Sequence, residues 1–416
     1  MRRLSRRQIL QSLAAAPAVS LTPRVRAAGQ VAAPQPFGAG TLPAGIRSRV
    51  VAGVNGIAMH VLEAGHEPAG RPGLLLVHGF PELAYSWRKV MLPLAAAGYH
   101  VFAPDQRGYG RSGGTDVRYD DDLAPFSTLN RVRDMLALTA ALGHRSVAAV
   151  VGHDFGSPVA AWCALTRPDV FQRVVMMSAP FAGTARLPFN TADAAPAPPA
   201  PAYDMDAELA KLTPPRKHYQ TYYTTREADP DMSRAPQGLL AFLRAYYHAK
   251  SADWPHNRPQ PLAANTAAEF AKLPRYYVMD RDKTMAAQVA ADMPTAAEIA
   301  RCAWLPDREL RVYADEYGRT GFQGGLQSYR VGRTPRLGAE LTLFAGRTID
   351  VPAAFVSGKS DWGVFQRAGS YEAMQKTACT KFRGAHLVEG AGHWVQQEQP
   401  ERTVAHILQF LKDTRG

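Results

Sequence analysis

Short apolar runs alternate with helical segments from about residue 47 onward. The runs have strand length and lie at 50–63, 74–77, 101–103, 147–151, 174–176, 354–356 and 385–388. Between them, apolar residues recur at helical spacing, for example after Ser127 and after Pro400. Apolar runs separated by helices are typical of a parallel sheet that is covered on both faces, and the first run has the length of a hairpin. The sequence therefore predicts an α/β fold with a mostly parallel, doubly wound sheet.

This strand pattern is interrupted between about residues 186 and 334. Alanine, proline and asparagine crowd the segment 187–202, which predicts a long loop. The sequence that follows is helical and rich in tyrosine, without strand runs. We therefore expect a core made of residues 45–185 and 335–416, with a helical cap domain inserted at 186–334.

The N-terminus predicts an export signal that covers residues 1–27. Paired arginines, Arg6 and Arg7, precede a modest apolar stretch, and Ala27 ends a small-residue cleavage site. The string 5–10 resembles the twin-arginine signal, which favours a periplasmic or secreted protein over the alternative of a disordered basic tail. The apolar stretch is too short for a stable membrane insertion.

Composition is that of a globular protein, with 46% hydrophobic and 20% charged residues. The net charge is +12, but the signal holds six arginines and no acid, so +6 remains for the rest of the chain. No dense basic run follows the signal, and we expect no nucleic-acid partner. Cys163, Cys302 and Cys379 lack the spacing of metal ligands. An exported protein could form one disulfide, but the odd number favours buried free thiols.

The strongest chemical signal is Gly152-His153-Asp154-Phe155-Gly156, which joins a strand run to a helical segment. This context resembles the nucleophile elbow of the α/β-hydrolases, with aspartate at the nucleophile position. An aspartate that attacks a saturated carbon forms an ester, which water can cleave at the carbonyl, whereas serine would form an inert ether. Asp154 therefore suits displacement at an sp³ carbon that carries an epoxide oxygen or a halide.

His393 and Asp361 are the predicted partners of Asp154. In α/β-hydrolases the order along the chain is nucleophile, acid, histidine. His393 lies in a glycine-rich loop after the last strand run, and Asp361 follows the run before it. Asp105 precedes the nucleophile and Glu389 lies too near the histidine, so both are weaker candidates for the acid.

The loop His78-Gly79-Phe80-Pro81-Glu82 is expected to form an oxyanion hole. It follows a strand run, so its backbone N–H groups can turn towards the ester of Asp154. The predicted donors are the N–H groups of Phe80 and Phe155. An ordinary turn is the alternative for this loop, and Pro81 is a candidate for a cis peptide bond.

Six motifs resemble those of the epoxide hydrolase family of α/β-hydrolases, and the resemblance extends from about residue 47 to the C-terminus. The motifs are HGFPE (78–82), SWR (86–88), PDQRGYGRS (104–112), GHDFG (152–156), GKSD (358–361) and GAGHW (390–394). The resemblance implies a small-molecule epoxide and water as reactants, with no metal or organic cofactor. It also implies a substrate pocket that includes Trp87, Gln220 and Trp394.

The same resemblance implies that two cap tyrosines, Tyr219 and Tyr329, open the epoxide. A phenol with a pKa of about 10 can hydrogen-bond the departing alkoxide and then protonate it. Tyr222 and Tyr317 remain competing candidates. Family members commonly have tryptophan before the second tyrosine, whereas this chain has Ser328, which predicts a wider or more polar pocket at that point.

Two other functions remain as alternatives. A dehalogenase would use the same carboxylate, but it binds halide through side-chain N–H groups at the positions that Phe80 and Phe155 occupy here. A non-catalytic ligand-binding protein on this scaffold would be marked by the loss of a triad residue, and none is lost. An ester hydrolase fits poorly, because attack of aspartate on an ester gives an anhydride.

Overall fold

A computed structural model describes residues 36–38, 40–186 and 204–415. The predicted signal, 1–27, and the predicted loop, 187–202, lie outside the described residues. The strands are β1 (Arg47–Val54), β2 (Ile57–Ala64), β3 (Gly73–Val77), β4 (His100–Pro104), β5 (Val147–His153), β6 (Val174–Met177), β7 (Arg216–His218), β8 (Val278–Asp280), β9 (Ala353–Gly358) and β10 (Phe382–Val388).

Eight of these strands form one sheet, in the order β1-β2-β4-β3-β5-β6-β9-β10. Strand β2 pairs antiparallel with both β1 and β4, and the strands from β4 to β10 in this order are parallel. The predicted hairpin and the mostly parallel sheet are thus confirmed. The carboxyl ends of β3, β5, β6, β9 and β10 meet at one edge, which is where open α/β sheets bind ligands.

The α-helices are α1 (Arg88–Ala96), α2 (Thr128–Ala141), α3 (Gly156–Thr166), α4 (Met205–Ala210), α5 (Tyr219–Tyr223), α6 (Ala228–Ser233), α7 (Leu239–Lys250), α8 (Ala267–Phe270), α9 (Met285–Ala290), α10 (Ala296–Arg301), α11 (Asp307–Thr320), α12 (Gln323–Gly332), α13 (Pro335–Ala339), α14 (Ser370–Ala373), α15 (Val395–Glu398) and α16 (Pro400–Asp413). Short 3₁₀ turns cover Ala84–Trp87, Ala124–Phe126, Glu340–Phe344 and Trp362–Phe365, and a π-turn covers Met374–Ala378. Within the described part of the chain, none of the helices has the length and hydrophobicity needed to span a membrane.

Each face of the sheet buries its own apolar cluster, because successive side chains of a strand point to opposite sides. In β3, Leu75 and Val77 belong to one cluster, and Leu74 and Leu76 belong to the other. A third cluster joins the cap to the carboxyl edge of the sheet and is rich in tyrosine and phenylalanine. This third cluster covers the place where the predicted catalytic residues lie.

Helices α4 to α12 form the described part of the cap between β6 and β9, as the sequence predicts. The prediction that this region lacks strands is wrong in one place, since β7 and β8 form a small antiparallel pair. Each of these two strands has only three residues. A run this short shows no alternating pattern that sequence analysis could detect.

Candidate active site

Asp154 lies in a sharp turn between β5 and helix α3. Its φ of 51° is in the left-handed region, which is costly for a residue other than glycine. The turn is held in place by close backbone contacts: a Cβ on Gly152 would lie 2.0 Å from Gly156 O, and a Cβ on Gly156 would lie 2.1 Å from Val77 O. Glycine is required at both positions, and the predicted nucleophile elbow is present in the structure.

The structure brings the three predicted triad residues together. His393 Nε2 lies 3.4 Å from Asp154 Oδ2, and His393 Nδ1 lies 3.0 Å from Asp361 Oδ1. His393 and Asp361 are buried, whereas the side chain of Asp154 retains 12% of its exposure. Burial by itself raises the pKa of Asp154, but His393, followed by Lys250, holds it well below its usual range. The carboxylate is therefore ionised and ready to act as a nucleophile.

Asp361 is held by donors on both of its oxygens. Gly363 N–H donates to Oδ1 at 2.7 Å, and the Ser357 hydroxyl donates to Oδ2 at 2.8 Å. Although burial raises the pKa of Asp361, its contacts with His393 lower it to about 2. Ser178, at the end of β6, places its hydroxyl 2.9 Å from His393 Nδ1. Asp361 and Ser178 thus hold the imidazole of His393 at Nδ1, which leaves Nε2 facing Asp154.

One predicted oxyanion donor already binds the nucleophile. Phe80 N–H donates to Asp154 Oδ1 at 2.9 Å, so that Oδ2 is the oxygen nearer to His393. Gly79 permits this approach, because a Cβ there would lie 2.4 Å from the Asp154 side chain. Phe155, the second predicted donor, is the N-cap residue of helix α3. The Phe80–Pro81 peptide bond is cis, as anticipated.

A buried ion pair, Glu82–His153, connects the oxyanion loop to the catalytic histidine. Glu82 Oε2 accepts hydrogen bonds from Gly79 N–H at 3.2 Å and from His153 Nδ1 at 2.5 Å. The other ring nitrogen of His153, Nε2, lies 2.7 Å from His393 O. Burial by itself lowers the pKa of His153, but the charge and the hydrogen bond of Glu82 outweigh this effect and raise the pKa to about 9. With an acceptor at each nitrogen, His153 is held as an imidazolium.

Tyr219 and Tyr329 lie together above the nucleophile elbow. Their ring centroids are 6.1 Å apart, and the Tyr329 ring packs edge-on against Phe155 at 4.6 Å and Phe80 at 5.5 Å. Burial raises the pKa of both phenols well above 10, and the charge of Asp154 adds to the effect. Both hydroxyls therefore keep their protons, and in this structure the Tyr219 hydroxyl donates its proton to Gln366 Oε1 at 3.1 Å.

The two competing tyrosines have other bonds. The Tyr222 hydroxyl donates to Asp231 Oδ2 at 2.8 Å. The Tyr317 hydroxyl donates to Glu82 O at 3.1 Å, and its ring stacks on Phe322. Tyr329, by contrast, packs on Phe155 next to the nucleophile, and Tyr219 packs on Tyr329, so their position favours this pair over the alternatives.

Ser328, the residue before Tyr329, is buried and hydrogen-bonded. Its hydroxyl receives a short hydrogen bond from Arg131, a buried arginine of helix α2. Arg131 also donates to Phe126 O at 3.3 Å. The serine and its arginine partner thus make the surroundings of Tyr329 polar at this point.

The predicted pocket residues have different surroundings. Gln220 donates to the Tyr219 hydroxyl at 3.1 Å, and Trp394 packs edge-on against His393, with ring centroids 4.5 Å apart. Trp87 instead belongs to a cluster on one face of the sheet, apart from the cap aromatics. Its assignment to the pocket is therefore corrected: the 3₁₀ turn directs this side chain into the core.

Several site residues were not predicted from the sequence. Glu82 and His153 stand inside the motifs, but only the fold shows that they pair. Ser178 directly follows a predicted strand, which is a weak signal by itself. Gln366 accepts a hydrogen bond from Tyr219 at 3.1 Å, and buried Lys250 lies among four aromatic rings. These two depend on cap packing, for which the sequence carries no pattern.

Metal ligation and disulfides are not found among the described residues. No group of three or more His, Cys, Asp or Glu side chains is arranged there to hold a metal ion. Cys163, Cys302 and Cys379 are free thiols.

Comparisons with known proteins agree with this geometry. A family model described as alpha/beta hydrolase fold matches residues 72–400. Epoxide hydrolase A of Mycobacterium tuberculosis is 32% identical over 364 residues, which cover 86% of this chain and 95% of that protein. Epoxide hydrolase 3 of Siraitia grosvenorii is 29% identical over 364 residues, or 86% and 96% of the two chains. The solved structure of an epoxide hydrolase from an endophytic Streptomyces superimposes with a TM-score of 0.71 at 30% identity, covering 90% of this chain and 97% of that one.

Proposed function

Since this chain belongs to the epoxide hydrolase family of the α/β-hydrolase superfamily, we propose that it hydrolyses an epoxide to a vicinal diol through an ester on Asp154. The observation that carries the proposal is a carboxylate nucleophile that contacts a histidine–aspartate pair and lies beneath two tyrosines. The enzyme is thus a hydrolase that acts on the ether bond of an epoxide.

In the first step, Asp154 attacks an epoxide carbon and breaks the carbon–oxygen bond. The phenols of Tyr219 and Tyr329 donate hydrogen bonds to the epoxide oxygen, and one of them transfers its proton to the departing alkoxide. Their raised pKa keeps them protonated until negative charge develops on that oxygen. The product of this step is a hydroxyalkyl ester of Asp154.

In the second step, His393 removes a proton from water, which attacks the ester carbonyl. Asp361 stabilises the imidazolium that forms, and Phe80 N–H stabilises the oxyanion. Collapse of the tetrahedral intermediate breaks the ester bond, and the departing oxygen takes the proton of the hydroxyl that attacked, which releases the diol and regenerates the Asp154 carboxylate. The water proton held by His393 is then transferred to the tyrosinate, so the protons balance over the cycle.

Diol formation from a panel of aryl, alkyl and fatty epoxides tests the activity. A single turnover in ¹⁸O-water should label the Asp154 carboxylate and release an unlabelled diol, because the diol oxygen comes from the aspartate. Label found first in the diol, and never in Asp154, would exclude the covalent mechanism. A matched haloalkane included in the panel tests the dehalogenase alternative.

We also propose that the chain is exported by the twin-arginine route. The support is the paired arginines Arg6 and Arg7, the apolar stretch and the cleavage site at Ala27. Replacing both arginines by lysine should block export, and the mature protein should begin near Ala28. Recovery of the variant from the periplasmic fraction at unaltered yield would exclude this route.

A further inference from the structure

The loop that carries the catalytic histidine is in direct backbone contact with the cap. His393 N–H donates to Lys250 O at 2.8 Å, and Lys250 is the last residue of the cap helix α7. A Cβ on Gly392 would lie 2.5 Å from Ser251 C and 2.6 Å from Ala252 N. The two chain segments are therefore so close that no side chain fits between them.

Glu398 fastens these two segments together. This residue ends the short helix α15, just after the histidine loop. Its Oε2 accepts hydrogen bonds from Ala252 N–H at 2.8 Å and Gly392 N–H at 2.9 Å, and its Oε1 accepts one from Trp394 N–H at 2.9 Å. One carboxyl group thus binds one N–H group of the cap and the N–H groups on both sides of His393.

The same cap helix also contacts the oxyanion loop. Trp394 Nε1–H donates to Tyr247 O at 2.8 Å, and its ring stacks on Tyr247 with centroids 4.2 Å apart. The Tyr247 hydroxyl donates to Pro81 O at 2.9 Å. Helix α7 is therefore bonded both to the oxyanion loop and to the loop that carries His393, residues 390–394.

We propose that Glu398 is a positioning residue that holds His393 against the end of α7 and sets the direction of Nε2 for hydrolysis of the ester. The inference rests on the proposed function. In that mechanism, Asp154 and the two tyrosines carry out the alkylation, and the hydrogen bonds of Glu398 go to none of them. Loss of Glu398 should therefore slow the second step selectively.

Glu398→Gln is the primary test, because it keeps the volume but turns one acceptor into an NH₂ group that faces a backbone N–H. A base displaced by about 1 Å costs about 10²-fold in rate, so we expect the hydrolysis rate constant to fall by about 10- to 100-fold. The alkylation rate constant should stay within about twofold, because it does not depend on the base. Stopped-flow single turnovers measure both constants, and intact mass should show ester accumulating on Asp154.

Two further variants and a control complete the experiment. Gly392→Ala pushes the same two segments apart, because its Cβ would overlap the backbone of Ser251 and Ala252. It should therefore give the same selective loss of ester hydrolysis. Glu398→Asp keeps both carboxylate oxygens on a shorter side chain. It replaces Glu398→Gln as the test if thermal melting shows that Glu398→Gln does not fold. Glu401→Gln, an exposed position in the first turn of helix α16, should change neither constant.

The outcomes separate this inference from the proposed function. An equal fall of both constants in the folded variants, or unchanged hydrolysis, would overturn the positioning role. Absence of diol formation by the wild-type enzyme would overturn the proposed function instead, before any variant is compared.

Discussion

Replacing the two cap tyrosines by phenylalanine tests the ring-opening step most directly. Tyr219→Phe and Tyr329→Phe keep the rings and remove only the hydroxyls. Loss of one preorganised donor in the transition state costs about 10² to 10³ in rate, or ~3–4 kcal/mol. The alkylation rate constant of each single variant should fall by less than this, because the remaining phenol still donates to the epoxide oxygen. That of the double variant should fall by about 10⁴-fold or more if the two contributions add.

The structure predicts different effects of the two substitutions on stability. The Tyr219 hydroxyl donates to Gln366 and accepts from Gln220, each at 3.1 Å. Tyr219→Phe leaves both amides without this partner and should cost about 1–3 kcal/mol in the free energy of unfolding. No hydrogen bond of the Tyr329 hydroxyl is found within residues 36–38, 40–186 and 204–415, so Tyr329→Phe should unfold close to the wild-type temperature.

The assay is the alkylation rate constant by stopped flow, for the wild type, both single variants and the double variant. An epoxide and a matched haloalkane are compared, since a halide needs no proton to leave. Tyr222→Phe is the control, because the Tyr222 hydroxyl is bonded to Asp231 and should not affect alkylation. A double variant that alkylates with the epoxide at the wild-type rate would refute the assignment of the tyrosines.

Three other substitutions test the rest of the site. His393→Gln should slow hydrolysis by about 10² to 10⁴-fold and leave a stable adduct on Asp154, visible by intact mass; normal turnover would exclude His393 as the base. Gly79→Ala should lower alkylation by about 10²-fold in steady-state and pre-steady-state assays, because its Cβ overlaps the nucleophile; an unchanged rate would contradict this contact. The pKa of His153 is raised from 6.5 to about 9, so the stabilisation from its pair with Glu82 is fully present below pH 6.5 and is lost as the pH rises through 9. In Glu82→Gln, the free energy of unfolding, measured by denaturant titration at a series of pH values, should fall less between pH 6.5 and about 9. The same fall as in the wild type would show that the pair does not titrate in this range.

Sequence patterns could locate the core and the elbow, because both depend on local signals. A buried parallel strand is a continuous apolar run, and the turn at Asp154 needs glycine on both sides. The assignment of His393 followed from chain order together with its glycine-rich loop after the last strand run. The roles of Ser178, Gln366 and Glu398 could not be predicted, since each depends on which segments the sheet and the cap bring together over long sequence separations. Trp87 was assigned incorrectly for the same reason, because a motif does not show which way its side chain points.

Phe80 has two roles, one of its backbone and one of its side chain, and mutation changes only the second. Its N–H group binds Asp154, whereas its ring packs against Tyr223 and Tyr329 in the cap. Because the donor belongs to the main chain, a substitution of Phe80 by any residue except proline changes the packing against these tyrosines and keeps the N–H donor. A mutant library that aims at new substrates can therefore include position 80, provided that each variant retains the Gly79 and Pro81 neighbours. Enzymes that use a side-chain donor at such a point do not have this freedom.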